Sequence, residues 1–184
     1  MLTKIQGNKL IRLARKSIET VFSKKALDYK EEKKEFSKKL GVFVTLHKAK
    51  QLRGCIGFPY PYKPLADAIV EAAKAAAFSD PRFLPLKKEE ISKIKIEISV
   101  LTEPKEIFVK SQDILKEIEI GKDGLIIQFS GFSGLLLPQV ALEQKWNVLE
   151  FLRGTCIKAG LPSESWLNLN AHNYKFQAQI FSEK

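Results

Sequence analysis

The 184-residue chain predicts an α+β domain, and three observations carry that expectation. Runs with helical spacing of apolar residues lie at 3–22 and 65–78. Alternating or β-branched runs lie at 42–47, 94–101 and 174–181. Between residues 121 and 137, closely spaced glycines break up short apolar runs, the pattern of strands joined by tight turns.

The elements follow in chain order. Thr3 is placed to cap the first helix, whose apolar side holds Ile5, Leu10, Leu13, Ala14, Ile18, Val21 and Phe22. The mixed Lys/Glu stretch 24–39 reads as a solvated helix or ordered connection anchored by Leu27, Phe36 and Leu40. After Gly41, the strands 42–47 and 52–57 are expected to form a hairpin across Lys48-Ala49-Lys50-Gln51. Three prolines between Phe58 and Pro64 exclude regular strand there, and Pro64 suits the first turn of the helix 65–78. Leu65, Ile69, Ala72, Ala73 and Ala76 make that helix narrow enough to approach a sheet closely. A short helix or turn at 87–92 leads to a strand at 94–101 with one buried face. Turns are expected at Lys122-Asp123-Gly124 and at residues 130–134, flanking strands at 125–129 and 135–137. Pro138 opens a helix to about Trp146, Asn147 caps another to Ala159, and Gly160 stops it.

Composition narrows the function classes. No run of about 20 apolar residues is present and the N-terminus has no apolar signal region, so a soluble, cytoplasmic protein without membrane contact is expected. Cys55 and Cys156 are too few and too far apart for a secreted disulfide framework, although one intracellular disulfide between them, of the kind hyperthermophile proteins carry, is left open. The net charge is +10, yet only Arg12, Arg15, Arg53, Arg82 and Arg153 are arginine. Lysine mixed with glutamate is a solubility and thermophile signature more than a nucleic-acid one. Nucleic acid is therefore a partner left open but not favoured.

The distinctive string is Leu52-Arg53-Gly54-Cys55-Ile56-Gly57. Two glycines within one strand mark close backbone approach or room for a ligand. A period of two sets Arg53, Cys55 and Gly57 on one face. There Arg53 would hold an anion and lower the pKa of Cys55, making it a nucleophile with His47 as base. The plainer reading makes Cys55 a packed thiol and Arg53 a structural ion pair, to Asp80 or Glu71. Asp80 and Arg82 either shape the wall of the same site or pin the loop after the alanine-rich helix. Tyr60, Tyr62, Phe78 and Phe83 would line a groove or, more simply, pack the proline-rich bend. Cys55, Cys156, His47 and His172 lack metal-ligand spacing, so no metal is assigned to them, and carboxylate sites are left open. Gly131-Phe132-Ser133-Gly134 lacks the ending of a phosphate loop. No cofactor is indicated.

This string, together with Gly41-Val42-Phe43-Val44-Thr45-Leu46, Ala77-Phe78-Ser79-Asp80-Pro81-Arg82-Phe83, Gly134-Leu135-Leu136-Leu137-Pro138-Gln139-Val140 and Cys156-Ile157-Lys158-Ala159-Gly160-Leu161-Pro162, resembles the AMMECR family, in its archaeal and bacterial branch. Ile98-Ser99-Val100-Leu101 and Gly124-Leu125-Ile126-Ile127 belong to the same match, which runs from Gly41 onward. The resemblance implies one AMMECR-type domain over 1–184, with a mostly antiparallel sheet flanked by helices. It also implies a larger lobe (about 1–115 plus 138–184), a smaller β-containing lobe (about 116–137) and a groove between them near the hexapeptide. It brings no established reaction. Its association with Memo-like and radical-SAM proteins implies a modification pathway, and its human relative has been treated as an interaction or regulatory protein. The reading placed first is an enzyme or accessory factor with an anionic small molecule or modified residue beside Arg53, Gly54, Cys55, Gly57, Asp80 and Arg82. A nucleic-acid-binding or regulatory protein, and an interaction module using Phe58 or Tyr60, are the alternatives.

Overall fold

The computed structural model describes residues 2–23, 25–109 and 111–183. Two compact units divide the chain: Met1–Leu101 with Gln179–Lys184, and Thr102–Ala178.

The first unit begins with α1 (Lys4–Ser23). Thr3 and Gln6 cap it reciprocally: Thr3 Oγ1 accepts from the Gln6 amide at 3.2 Å, and Gln6 Oε1 accepts from the Thr3 amide at 2.9 Å. Its buried stripe is Leu10, Ile11, Leu13, Ala14, Ser17 and Ile18, whereas Ile5 and Val21 near its ends stay exposed. The Lys/Glu stretch contributes one short helix, α2 (Lys30–Glu35), with no buried residue. β1 (Gly41–Lys48) and β2 (Gln51–Phe58) form the expected hairpin. Ala49 and Lys50 turn it with φ of 50° and 66°, the left-handed pair a two-residue hairpin turn demands and which glycine or asparagine would adopt with less strain.

α3 (Leu65–Phe78) has the expected bounds, with Pro64 just before its first turn as the cap residue. A 3-10 segment (Lys88–Lys93) then leads into β3 (Ile94–Leu101), which pairs with β1. The strand order is β2–β1–β3, with β2 at the edge, and the end of the last strand follows β3. Val42, Val44, Leu46, Ile96, Ile98 and Val100 pack with α1 and α3 into one core. Gly54 is what lets α3 lie on β2, because a Cβ there would stand 2.1 Å from the Ala76 carbonyl oxygen.

In the second unit, β4 (Lys105–Glu106) and β5 (Asp123–Phe129) flank β7 (His172–Ser182), and β6 (Phe132–Leu136) pairs with β5. Every ladder described in the two units is antiparallel. α4 (Pro138–Glu143) and α5 (Val148–Lys158) complete it, and Asn147 caps α5 with Glu150 closing the box. The core gathers Ile114, Leu125, Ile127, Phe151, Leu152 and Cys156.

Three expectations are corrected here. The turn before β5 ends at Lys122, with Gly121 at φ 82°, so Asp123 and Gly124 already belong to the strand. The next turn is only Ser130-Gly131, both left-handed, so β6 starts at Phe132 rather than Leu135. The lobe boundaries also differ: the second unit takes in α4, α5 and most of β7 rather than 116–137 alone, because Phe151, Leu152 and Cys156 bury themselves with β5 residues.

Gly54→Ala is expected to destabilise the chain by about 3 kcal/mol, since the clash is with backbone that cannot rotate away. A urea melt followed by circular dichroism checks this; an unchanged midpoint would mean α3 does not rest on β2 as described.

Candidate functional site

β2 is an edge strand, and one of its exposed peptide groups is met by side chains rather than by another strand. The Cys55 amide donates to Asp80 Oδ2 at 2.8 Å, and the Cys55 carbonyl accepts from Arg82 Nη2 at 3.2 Å. Asp80 follows α3 and is almost wholly buried. It also accepts from the Arg82 amide, from Nε at 3.0 Å and from Nη2 at 2.7 Å. A buried carboxylate is tolerable when it is answered this fully. The Arg82 guanidinium, with the Cys55 and Arg82 amides assisting, holds the Asp80 carboxyl far below the ordinary carboxylate range despite burial. Folding lowers this pKa, so the clasp's stability is fully present above the ordinary value of about 4 and is lost as pH falls below it.

The Cys55 side chain is half-buried, and its sulfur accepts a hydrogen bond from Thr45 Oγ1 at 3.2 Å. Burial pushes the thiol pKa up; Thr45 and Arg82 pull it down, while Asp80 and Glu97 push it further up. The resting group is a neutral thiol. The expectation that Arg53 would make it a thiolate is corrected, because Arg53 is engaged elsewhere. Its Nε and Nη2 donate to the two oxygens of Glu90 at 3.1 and 3.0 Å. Glu90 also accepts from Lys48 Nζ at 2.8 Å and from the Lys87 amide at 3.0 Å, which ties the 3-10 segment to the hairpin. Neither Asp80 nor Glu71 is the partner of Arg53; Glu71 pairs with Lys63. The fork that would hold an external anion already holds an internal one.

The local reason is a register irregularity. Cys55 sits opposite Thr45 and Gly54 opposite Leu46, but Leu52 sits opposite His47. Arg53 is the extra residue, without a cross-strand partner, and the period of two breaks at it. For the same reason Thr45, not His47, reaches the thiol. The glycines leave no space for a ligand: a Cβ at Gly54 meets Ala76, and one at Gly57 would stand 2.2 Å from the Val42 carbonyl oxygen. Phe83 lies between the two cations, its ring centre 6.0 Å from the Arg53 guanidinium carbon and 5.5 Å from that of Arg82.

Of the residues singled out from the sequence, Cys55, Asp80 and Arg82 come together directly. Arg53 is drawn to Glu90 beside them. Thr45 and Glu90 were missed. Pairing counted outward from the turn would set Cys55 opposite Val44, and only the extra residue at Arg53 brings Thr45 there. Among the described residues, no group of three or more histidine, cysteine or acidic side chains is placed to hold a metal ion. No described helix is long and apolar enough to cross a membrane. Cys55 and Cys156 are both free.

An α+β chain whose edge strand presents a clasped, half-buried thiol is the class this geometry defines. The model of the AMMECR1 family matches residues 11–181, and the chain belongs to that family. It is 47% identical over 188 residues to the protein MK0488 of Methanopyrus kandleri, covering 100% of this chain and 91% of that one. A protein of Methanothermobacter thermautotrophicus is 47% identical over 185 residues, covering 99% and 96%. The crystal structure of the uncharacterized protein PH0010 from Pyrococcus horikoshii superposes with a TM-score of 0.94 at 44% identity, covering 100% of this chain and 94% of that one.

Alkylation of Cys55 in native protein is expected to be slow at neutral pH, with an apparent pKa above the free value of about 8.5. Thr45→Val removes the hydroxyl that stabilises the thiolate, so it should raise that pKa further and slow the reaction. Rates against pH, read by peptide mapping, check both; a midpoint below 7 would contradict the neutral thiol.

Proposed function

We propose that this chain is an enzyme, or an accessory factor to one, that takes an anionic small molecule or a modified residue of another protein at the Cys55 corner of β2. The observation that carries the reading is a reachable guanidinium bonded to the backbone carbonyl of the residue that carries a half-buried thiol. The Arg82 side chain is 48% exposed, and Nη1 has no hydrogen-bond partner among the described residues. Arg82 thus keeps donors for a ligand while Nη2 stays on the Cys55 carbonyl. Arg53 moves, in this reading, from ligand holder to structural support. A ligand anion next to Cys55 would reinforce the neutral thiol, so the role supported for Cys55 is hydrogen-bond or proton donor to the ligand rather than resident thiolate.

Free cysteines and the Lys/Glu-rich surface support a cytoplasmic setting. A pathway shared with Memo-like or radical-SAM proteins remains part of the proposal through the family resemblance alone.

Protection of Cys55 from N-ethylmaleimide, screened against a panel of carboxylates and phosphate esters, tests the reading. At least one anion should slow Cys55 saturably while leaving Cys156 unchanged, and Arg82→Lys, which keeps the charge but loses the planar fork, should weaken that protection about tenfold. Protection by neutral compounds alone, or by a protein partner that protects equally well when it carries no modified residue, would contradict it.

A further inference from the structure

Near the β1–β2 turn, the face of β1 and β3 turned away from the helical core is polar. Thr45 lies opposite Glu97 and His47 opposite Lys95 in the ladder, and these alternate with the core residues Val44, Leu46, Ile96 and Ile98. Where this face meets the β1–β2 turn and the start of β3, a cavity of about 500 Å³ opens, lined by His47, Lys50, Lys93, Lys95, Glu97 and Glu183 among others. That volume lies in the range of small-molecule sites.

Its charges do not balance. Glu183 is answered by Arg15, whose Nε and Nη2 donate to its two oxygens, and by the Ile96 amide. Glu97 accepts from Ser182 Oγ at 2.9 Å and has no cation partner among the described residues. Lys50, Lys93 and Lys95 are exposed and have no carboxylate partner among the described residues, although Lys48, the last residue of β1, has one in Glu90. Three lysines without a carboxylate partner among the described residues therefore line the cavity together with Glu97, which no described cation answers. Lysines held around a cleft concentrate a potential that a multiply charged anion satisfies and a single carboxylate does not. The turn adds weight: Lys50 is held at φ 66° where glycine would sit without strain.

We propose that this cavity binds the phosphate groups of a small phosphorylated molecule, with Lys50, Lys93 and Lys95 as its cationic ligands. The cavity shares no lining residue with the Arg82, Asp80 and Cys55 cluster, and the proposal stands whether or not Cys55 contacts a ligand.

Calorimetric titration of the full chain with inorganic pyrophosphate at 0.1 M salt tests it. Binding is expected with a dissociation constant on the order of 0.1 mM. The pair Lys93→Ala with Lys95→Ala should weaken it about tenfold or more. The pair Lys34→Ala with Lys158→Ala, which removes the same net charge from exposed positions elsewhere, should leave it unchanged. Lys50→Gly should raise the melting temperature, by relieving the turn, while weakening pyrophosphate binding; a residue with only a structural role would not separate the two. Cys55→Ser should bind pyrophosphate normally, so a failure here is distinguishable from a failure at Cys55. Absence of binding by the wild type, equal loss in the control pair, unchanged binding in the Lys93/Lys95 pair or in Lys50→Gly, or tighter binding of a single-stranded oligonucleotide through the same lysines would each overturn the proposal.

Discussion

The Asp80 carboxylate, buried against the edge of β2, is the interaction on which the site depends. It accepts the Cys55 amide on one oxygen and gathers Arg82 with both. An edge strand otherwise presents unpaired peptide groups to any passing strand. Here Asp80 and Arg82 together occupy the donor and the acceptor of one residue, and that residue carries the thiol. Removing the carboxylate would leave a guanidinium without its partner and a strand edge without its cover, so the cost would fall on both stability and the position of Cys55.

The glycines of the hexapeptide serve the same end by a different route. Gly54 brings α3 against β2, and Asp80 comes two residues after the end of α3. The small side chains of α3 matter for that reason: they set the distance at which the carboxylate meets the strand. Nearer the hairpin tip, Glu90 holds Arg53 and Lys48 at once. Two carboxylates thus organise the hairpin, each paired with an arginine, and both arginines flank Phe83. The charge that makes the chain basic is left mainly to lysines, some of which line a cavity on the sheet.

Much of the first unit was legible in the sequence because local signals agreed with the fold. Thr3 with Gln6, Pro64 before α3, and the strict alternation of β3 each leave little freedom. The hairpin tips were less legible. Ala49, Lys50 and Ser130 adopt left-handed turns without being glycine, so composition pointed elsewhere or to a longer turn. In the site, Asp80, Arg82 and Cys55 were all singled out, but their pairing was not. Arg53 and Glu90 lie 37 residues apart, and the register break that frees Arg53 is a property of the folded ladder rather than of the string. The fate of His47 followed from the same break.

Amide hydrogen exchange at Cys55, resolved by NMR, tests the clasp most directly. The wild-type amide should be protected although β2 is an edge strand, and Asp80→Ala should abolish that protection while the amides of β1 and β3 remain slow. Rapid exchange at Cys55 in the wild type, or protection that survives the loss of Asp80, would contradict the account.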